Sequence, residues 1–315
     1  MDTKRLIIFG GIIAAIVIGM SFFSPKLQMK QELIKLPVVS VSTFSLYEAA
    51  HAVAGTSLDI HPIIPLGTDA HIFSPNPKQV AGITESALFI YNGAGFETWA
   101  ENLKQTLPKT TQVIDMSQKV ALIKSEGHGE HDQGEEHHHG MYDPHYWLDI
   151  NNMIKMTQTL DSEFSKLSPA NAELYHGNAA VYIGKLQKLK SEYTAGLAEC
   201  KNRTLITNHD AFGYLAKANH LENVSVIGLS SDEQPSAKNI ADIINLVKEH
   251  GVKTIFFEEF INDNVSQTIA RETGAKAQSL QPLENISEDE LKLHQTYLTI
   301  MGENLKKLRE AMECR

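Results

Sequence analysis

Short β-branched apolar runs alternate with amphipathic helical patterns along most of this 315-residue chain. VVSVST (38–43), IHPIIP (60–65), ALFIYN (87–92) and TQVID (111–115) read as strands, because each is brief, rich in β-branched residues and bounded by turn residues. Helical patterns fall between them near 45–54, 77–86 and 96–107. The second half repeats the plan: TLIT (204–207), VSVIG (224–228), TIFFE (254–258) and AQSL (277–280) are separated by helical stretches near 211–219, 236–249 and 264–273. Such alternation predicts two parallel-sheet α/β lobes.

The two halves meet through an unusually long periodic segment. Ser168 and Pro169 supply a cap and a first-turn proline, and apolar residues then recur at Ala172, Tyr175, Ala179, Ile183, Leu186, Leu189, Tyr193 and Leu197. One helix of about thirty residues, about 45 Å long, is expected, with a break at Gly184 as the competing reading. A helical connector is stiff, so large hinge opening is not expected. The boundaries that follow are 37–167 for the first lobe, 168–200 for the connecting helix and 201–315 for the second lobe. The shorter pattern Met153, Met156, Leu160, Phe164, Leu167 reads as an ordinary lobe helix.

Residues 1–36 follow a different rule. Lys4 and Arg5 precede an apolar run from Leu6 to Phe23, the signature of an export signal or an N-terminal membrane anchor. The run is short for a spanning helix and its best cleavage candidate, Gly19-Met20-Ser21, is weak; no cysteine follows it as a lipid acceptor. Either fate places the rest of the chain in the periplasm or on the extracytoplasmic face of the membrane. Cys200 and Cys314 are the only cysteines, and in an oxidising compartment they are expected to pair, two buried free thiols being the alternative. Cys200 ends the long helix, and Cys314 ends a helical pattern through Leu298, Met301, Leu305, Leu308 and Met312.

The formal net charge is −10, which disfavours nucleic-acid binding. Five acids of that excess lie in 126–139, where GHGEHDQGEEHHHG (127–140) also holds His128, His131, His137, His138 and His139. With no apolar residue the tract cannot build a core, and its imidazoles and carboxylates suit borderline divalent metals. An inert charged spacer is the bland alternative; an affinity tag does not fit an internal tract with interleaved acids. The tract is read as an auxiliary metal-collecting loop, not as the principal site.

The principal site is drawn from ordered segments. His71 lies in PLGTDAHIFSPNP, His145 in DPHYWLDI, His209 directly after the fifth strand in TNHDAFGYL, and Glu258 at the end of TIFFEE. Parallel sheets gather ligand groups at the carboxyl ends of their strands, where His71, His209 and Glu258 fall. Three imidazoles and a carboxylate can close a tetrahedral shell around zinc. Glu259 competes with Glu258, although alternation in a strand sends neighbours to opposite faces. Asp69, Asp149 and Asp210 are candidates to orient the imidazoles, or equally turn and cap residues. His51, His61, His176, His220, His250 and His294 are read as surface histidines.

Together, GTDAHIFSP, DPHYWLD, NHDAFGYLA, EQPSAKNIADI, IFFEE with IARETGAK, QPLENIS and YLTIMGENLKKL resemble, in this order, the zinc-binding solute-binding proteins of bacterial ABC importers, the ZnuA type of the cluster A-I group. The resemblance runs from about residue 37 to the C-terminus. It implies two lobes on a rigid helix, a metal in the cleft between them, and an ABC permease in the inner membrane as partner to a monomeric receptor. Carried over by motif, it implies His71, His145, His209 and Glu258 as ligands. Manganese-binding relatives carry a carboxylate where this chain has His209, so the resemblance favours Zn²⁺ as the transported ligand and keeps Mn²⁺ as the alternative. The N-terminus without a lipoprotein cysteine and the Cys200/Cys314 pair depart from the family's common pattern.

A zinc-dependent hydrolase is the rival from another class. Catalytic zinc keeps a position open for water and typically has three protein ligands, whereas four are proposed here, and no HExxH helix exists. The chain is therefore read as a binding protein and not an enzyme. A metal buffer or adhesin acting without a transporter is a third reading, which genomic neighbourhood would separate from the first.

Overall fold

All eight expected strands form in the computed structural model, which describes residues 36–125, 141–229, 235–258 and 264–315. The first lobe is built from β1 (Val38–Val41), α1 (Phe44–Ala54), β2 (Asp59–Pro62), α2 (Pro77–Thr84), β3 (Leu88–Tyr91), α3 (Thr98–Leu103) and β4 (Gln112–Asp115). Two longer helices follow, α4 (Ile150–Leu167) and α5 (Ala172–Gly196). The second lobe contains β5 (Thr204–Thr207), α6 (Gly213–Ala218), β6 (Glu222–Ser225), α7 (Ala237–His250), β7 (Thr254–Phe257), α8 (Asn264–Thr273), β8 (Lys276–Ser279), α9 (Glu288–Lys292) and α10 (Tyr297–Ala311). The N-terminal apolar segment and the His-rich tract lie outside the described residues. Among the described residues no helix is long and apolar enough to cross a membrane.

Each lobe carries a four-stranded sheet, ordered β2-β1-β3-β4 and β6-β5-β7-β8, with every pairing parallel. The central strands β3 and β5 are buried along their whole length, as continuous apolar runs covered by helices on both faces should be. In both sheets the winding direction reverses at the central pair, β1/β3 and β5/β7, and the crevice beyond their carboxyl ends is where such sheets bind ligands. β6 starts two residues before the apolar run VSVIG, because its ladder pairs Thr204 with Glu222 and Thr207 with Ser225. Length of the neighbouring strand, not apolarity, sets those bounds.

Helix α5 is continuous through Gly184 and spans 25 residues, about 38 Å at 1.5 Å per residue. Its buried face is Tyr175, Ala179, Tyr182, Leu186, Leu189 and Tyr193, so Tyr182 takes the core position expected for Ile183. A 3-10 turn, Pro169–Asn171, occupies the start that the sequence assigned to the helix. The short α9 carries a capping box between Ser287 and Glu290 but is too brief to show periodicity.

One apolar core runs beneath both lobes. It includes Val41 and Ile90 from the first sheet, Leu186 and Tyr193 from α5, Leu205 and Phe256 from the second sheet, and Met301 from α10. Each such side chain contributes about 1.5–3 kcal/mol on burial, so wide separation of the lobes would expose a heavy apolar load. Residues Leu36–Arg315 accordingly form a single compact unit. Cys200 and Cys314 form a disulfide. Around it, Lys201 N and Asn202 N donate to Met312 O, and Arg315 N donates to Glu199 O, which fastens the end of α10 beside the end of α5.

Candidate metal centre

Four segments deliver side chains to one point between the lobes. The Pro65–Phe73 loop after β2 presents His71, whose backbone N–H donates to Asp69 Oδ1 at 2.9 Å and so bends the loop inward. His145 precedes a 3-10 turn, Tyr146–Leu148, and its segment begins where Ser125 N and Asp143 N donate to Met141 O and Ile123 O. His209 follows β5 directly, and Glu284 follows β8 in the motif QPLENIS.

Donor atoms from His71, His145, His209 and Glu284 all lie within 4.8 Å of one another. His71 Nε2 is 3.1 Å and His145 Nε2 3.2 Å from Glu284 Oε1. His145 Nε2 is 3.5 Å from His71 Nε2 and 3.3 Å from His209 Nε2. Donors bonded at about 2.0–2.1 Å around a tetrahedral ion stand about 3.3–3.4 Å apart, so four of the six edges already have a zinc-like length. His145 and His209 are wholly buried, and Glu284 is 6% exposed.

The outer atoms fix which nitrogens face the centre. Asp143 Oδ1 lies 2.9 Å from His145 Nδ1, and Glu258 Oε1 lies 2.5 Å from His209 Nδ1. A carboxylate on Nδ1 selects the tautomer whose Nε2 carries the lone pair. His145 Nε2 and His209 Nε2 stand 3.3 Å apart, so without metal a proton held on His145 can be shared with the neutral His209, and a bound cation takes that proton's place. Burial and the neighbouring imidazoles push His209 down to about 3. Burial acts the same way on His145, but hydrogen bonds to Asp143 and Glu284 outweigh it and push it up to about 10. His71 is also raised, Glu284 outweighing burial. Glu284 is held well below the usual carboxylate range, because the charges of His71 and His145 overcome its burial. Glu258 is pushed up by burial and by the charge of Glu284.

An aromatic wall encloses the donors. The Phe96 ring lies 4.7 Å from that of His71 and 5.4 Å from that of Trp147, which packs against His145 at 5.5 Å. Glu97 sets this wall: its carboxylate accepts from Ser42 Oγ, Asn92 N and Gly93 N and closes the turn ahead of Phe96.

The three histidines expected from sequence are thus brought together, whereas Glu258 stands behind His209 and Glu284 points at the centre. Glu259 lies outside the described residues. Of the acids considered as imidazole orienters, Asp69 shapes the His71 loop through its backbone, Asp149 caps α4 by accepting from Asn151 N at 2.8 Å, and Asp210 meets Asn223 Nδ2. The orienting acid for His145 is Asp143, which sequence reading passed over although the spacing Asp-Pro-His carries it. Glu284 was also passed over; its signal was an acid just beyond the carboxyl end of the last strand. His51, His61, His176, His220, His250 and His294 are all exposed.

Two parallel-sheet lobes, a long connecting helix and four clustered donor atoms in the crevice at the strand ends form an arrangement able to hold a cation. Residues 39–311 match the family model for the zinc-uptake complex component A, periplasmic, and the chain belongs to this family. It is 36% identical over 302 residues to the zinc-binding protein AdcA of Streptococcus pyogenes, covering 91% of this chain and 59% of that protein. The chain therefore spans well under two thirds of the length of that relative. It is 35% identical over 282 residues to the high-affinity zinc uptake system protein ZnuA of Bacillus subtilis, covering 88% of each. Among solved structures, the Zn(II)-bound ZnuA-like domain of Streptococcus pneumoniae AdcA superposes with a TM-score of 0.75 at 32% identity, over 88% of this chain and 99% of that one.

Proposed function

We propose that this protein captures Zn²⁺ outside the inner membrane and delivers it to an ABC-type permease, with His71, His145, His209 and Glu284 as the ligands. The observation that carries this reading is the convergence of three imidazoles and one carboxylate in a buried crevice, with four of the six donor–donor distances at tetrahedral spacing. Three imidazoles and one carboxylate suit a borderline ion better than Mn²⁺, which prefers oxygen-rich shells. Family membership supports transport over catalysis, and the zinc named in the relatives supports the choice of ion. Glu258, expected as the fourth ligand, is reassigned in this reading to the acceptor that orients His209.

Metal analysis of tag-free protein, followed by competition titration of the His71→Ala, His145→Ala, His209→Ala and Glu284→Gln variants, tests ion and ligands together. One equivalent of zinc, lost or strongly weakened in each variant, is the expected result. Preferential manganese loading, or zinc retained at full affinity in the histidine variants, would refute it.

A further inference from the structure

We infer that Asn285 is a positioning residue for ion binding: it latches the strap that carries Glu284 to the loop that carries His71, so that these two ligands form one preformed half of the site. The inference rests on the zinc-receptor reading and adds to it a residue that touches no metal.

By sequence, the strap Gln281–Ile286 belongs to the second lobe, since it follows β8. Its hydrogen bonds run largely the other way. Asn285 is 4% exposed, and its Nδ2 donates to Pro65 O at 2.6 Å and to Thr68 O at 2.8 Å, two carbonyls of the His71 loop. Its Oδ1 accepts from Ile286 N at 2.9 Å, which aims the amide. Gly67 N donates to Ile286 O, Phe44 N to Glu284 O, and Trp147 Nε1 to Pro282 O. Apart from Ile286 N, within the strap itself, every one of these partners lies in the first lobe or beside His145. His209, by contrast, sits between Asn208, whose N–H donates to Phe256 O, and Asp210, whose N–H donates to Gly228 O, both bonds internal to the second lobe.

The strap also adopts a conformation that its own sequence does not favour. Leu283, fully buried, has a φ of +61°, a left-handed backbone that bulky residues avoid. Such a conformation persists only where surrounding contacts over-determine it. Here Gln281 Oε1 accepts from Leu283 N, and Asn304 clamps Gln281 through both its N–H and its carbonyl. Without Asn285 the strap keeps, among the described residues, no side-chain bond to the His71 loop except that of Glu284 itself. Glu284 Oε1 would then no longer be held 3.1 Å from His71 Nε2 in advance of the ion.

A double-mutant cycle with Zn²⁺ as the probe tests this. Zinc dissociation into excess chelator and equilibrium affinity are measured for the full chain, Asn285→Ala, Glu284→Gln and the double variant, with metal-free circular dichroism and thermal unfolding as folding controls. Asn285→Ala is expected to lower affinity about 10- to 100-fold, mainly through faster dissociation, as loss of outer groups that hold metal ligands does. In the Glu284→Gln background the same change should have almost no further effect, because the latch acts through that carboxylate. If Asn285→Ala does not fold, Asn285→Ser carries the same comparison. Independent, additive losses would overturn the latch, as would full affinity in Asn285→Ala. Failure of the unaltered chain to bind zinc would instead overturn the zinc reading on which the latch rests.

Discussion

Glu258 Oε1 lies 2.5 Å from Nδ1 of His209, on the opposite side of the ring from the Nε2 atom that faces His145 at 3.3 Å. The carboxylate at the end of β7 is thus behind the imidazole, while the position facing the centre is filled by Glu284 from beyond β8.

The two acids should therefore respond differently. Glu284→Gln is expected to exchange a charged carboxylate ligand for a weaker neutral amide, visible as a changed absorption spectrum of the cobalt-substituted protein, together with the larger loss of zinc affinity. Glu258→Gln should leave that spectrum near its original form and cost about 10- to 100-fold in affinity, the usual effect of losing a group that orients a ligand. The reverse ranking would make Glu258 the ligand.

Zinc affinity should keep rising with pH beyond the ordinary histidine range of about 6.5. Without metal, His145 holds its proton up to about 10 and His71 is raised as well, whereas His209, pushed down to about 3, is neutral. Zinc must displace the protons on His145 and His71. Each proton released strengthens binding about tenfold per pH unit, up to the pKa of the group that loses it. Affinity thus falls as pH falls, and the slope should persist between about pH 7 and 9. Calorimetry in buffers of different ionisation enthalpy counts the released protons; a flat profile above pH 7 would contradict this assignment.

His209→Ala should weaken zinc binding far more than deletion of 127–139. Ligands held in place by a fold bind without an ordering cost, and His209 is held so, wholly buried directly after β5. Loop deletion should show itself in uptake at limiting zinc. Equal losses in a competition titration would reverse the roles, and unchanged uptake would make the tract a spacer.

Removing the Cys200–Cys314 bridge, by Cys314→Ser with Cys200→Ser, should destabilise the protein. The cysteines are 114 residues apart, and the chain-entropy relation gives an upper figure of about 4–5 kcal/mol for a loop of that length. A melting temperature lower by about 5–15 °C is expected. Thiol titration of unfolded, unreduced protein should find no free thiol; two would show that the bridge is absent.

Local periodicity determined most of the architecture. Strand and helix alternation, the strand-end logic and the long pattern from Tyr175 to Tyr193 were all readable, because each depends on the few residues nearest in the chain. His71, His145 and His209 were readable for a similar reason, since each sits in a short motif just beyond a strand or turn. Tertiary structure decided which acid stands beside the imidazole Nε2 atoms. Glu258 and Glu284 both follow strands of the second sheet, and nothing local separates a carboxylate pointing at Nδ1 from one pointing at the centre. That choice depends on bonds spanning some two hundred residues, such as Asn285 to Pro65 and Phe44 to Glu284, which turn the strap after β8 toward the first lobe. Contacts between groups so distant in the chain leave no periodic trace in it, and so only the folded arrangement expresses them.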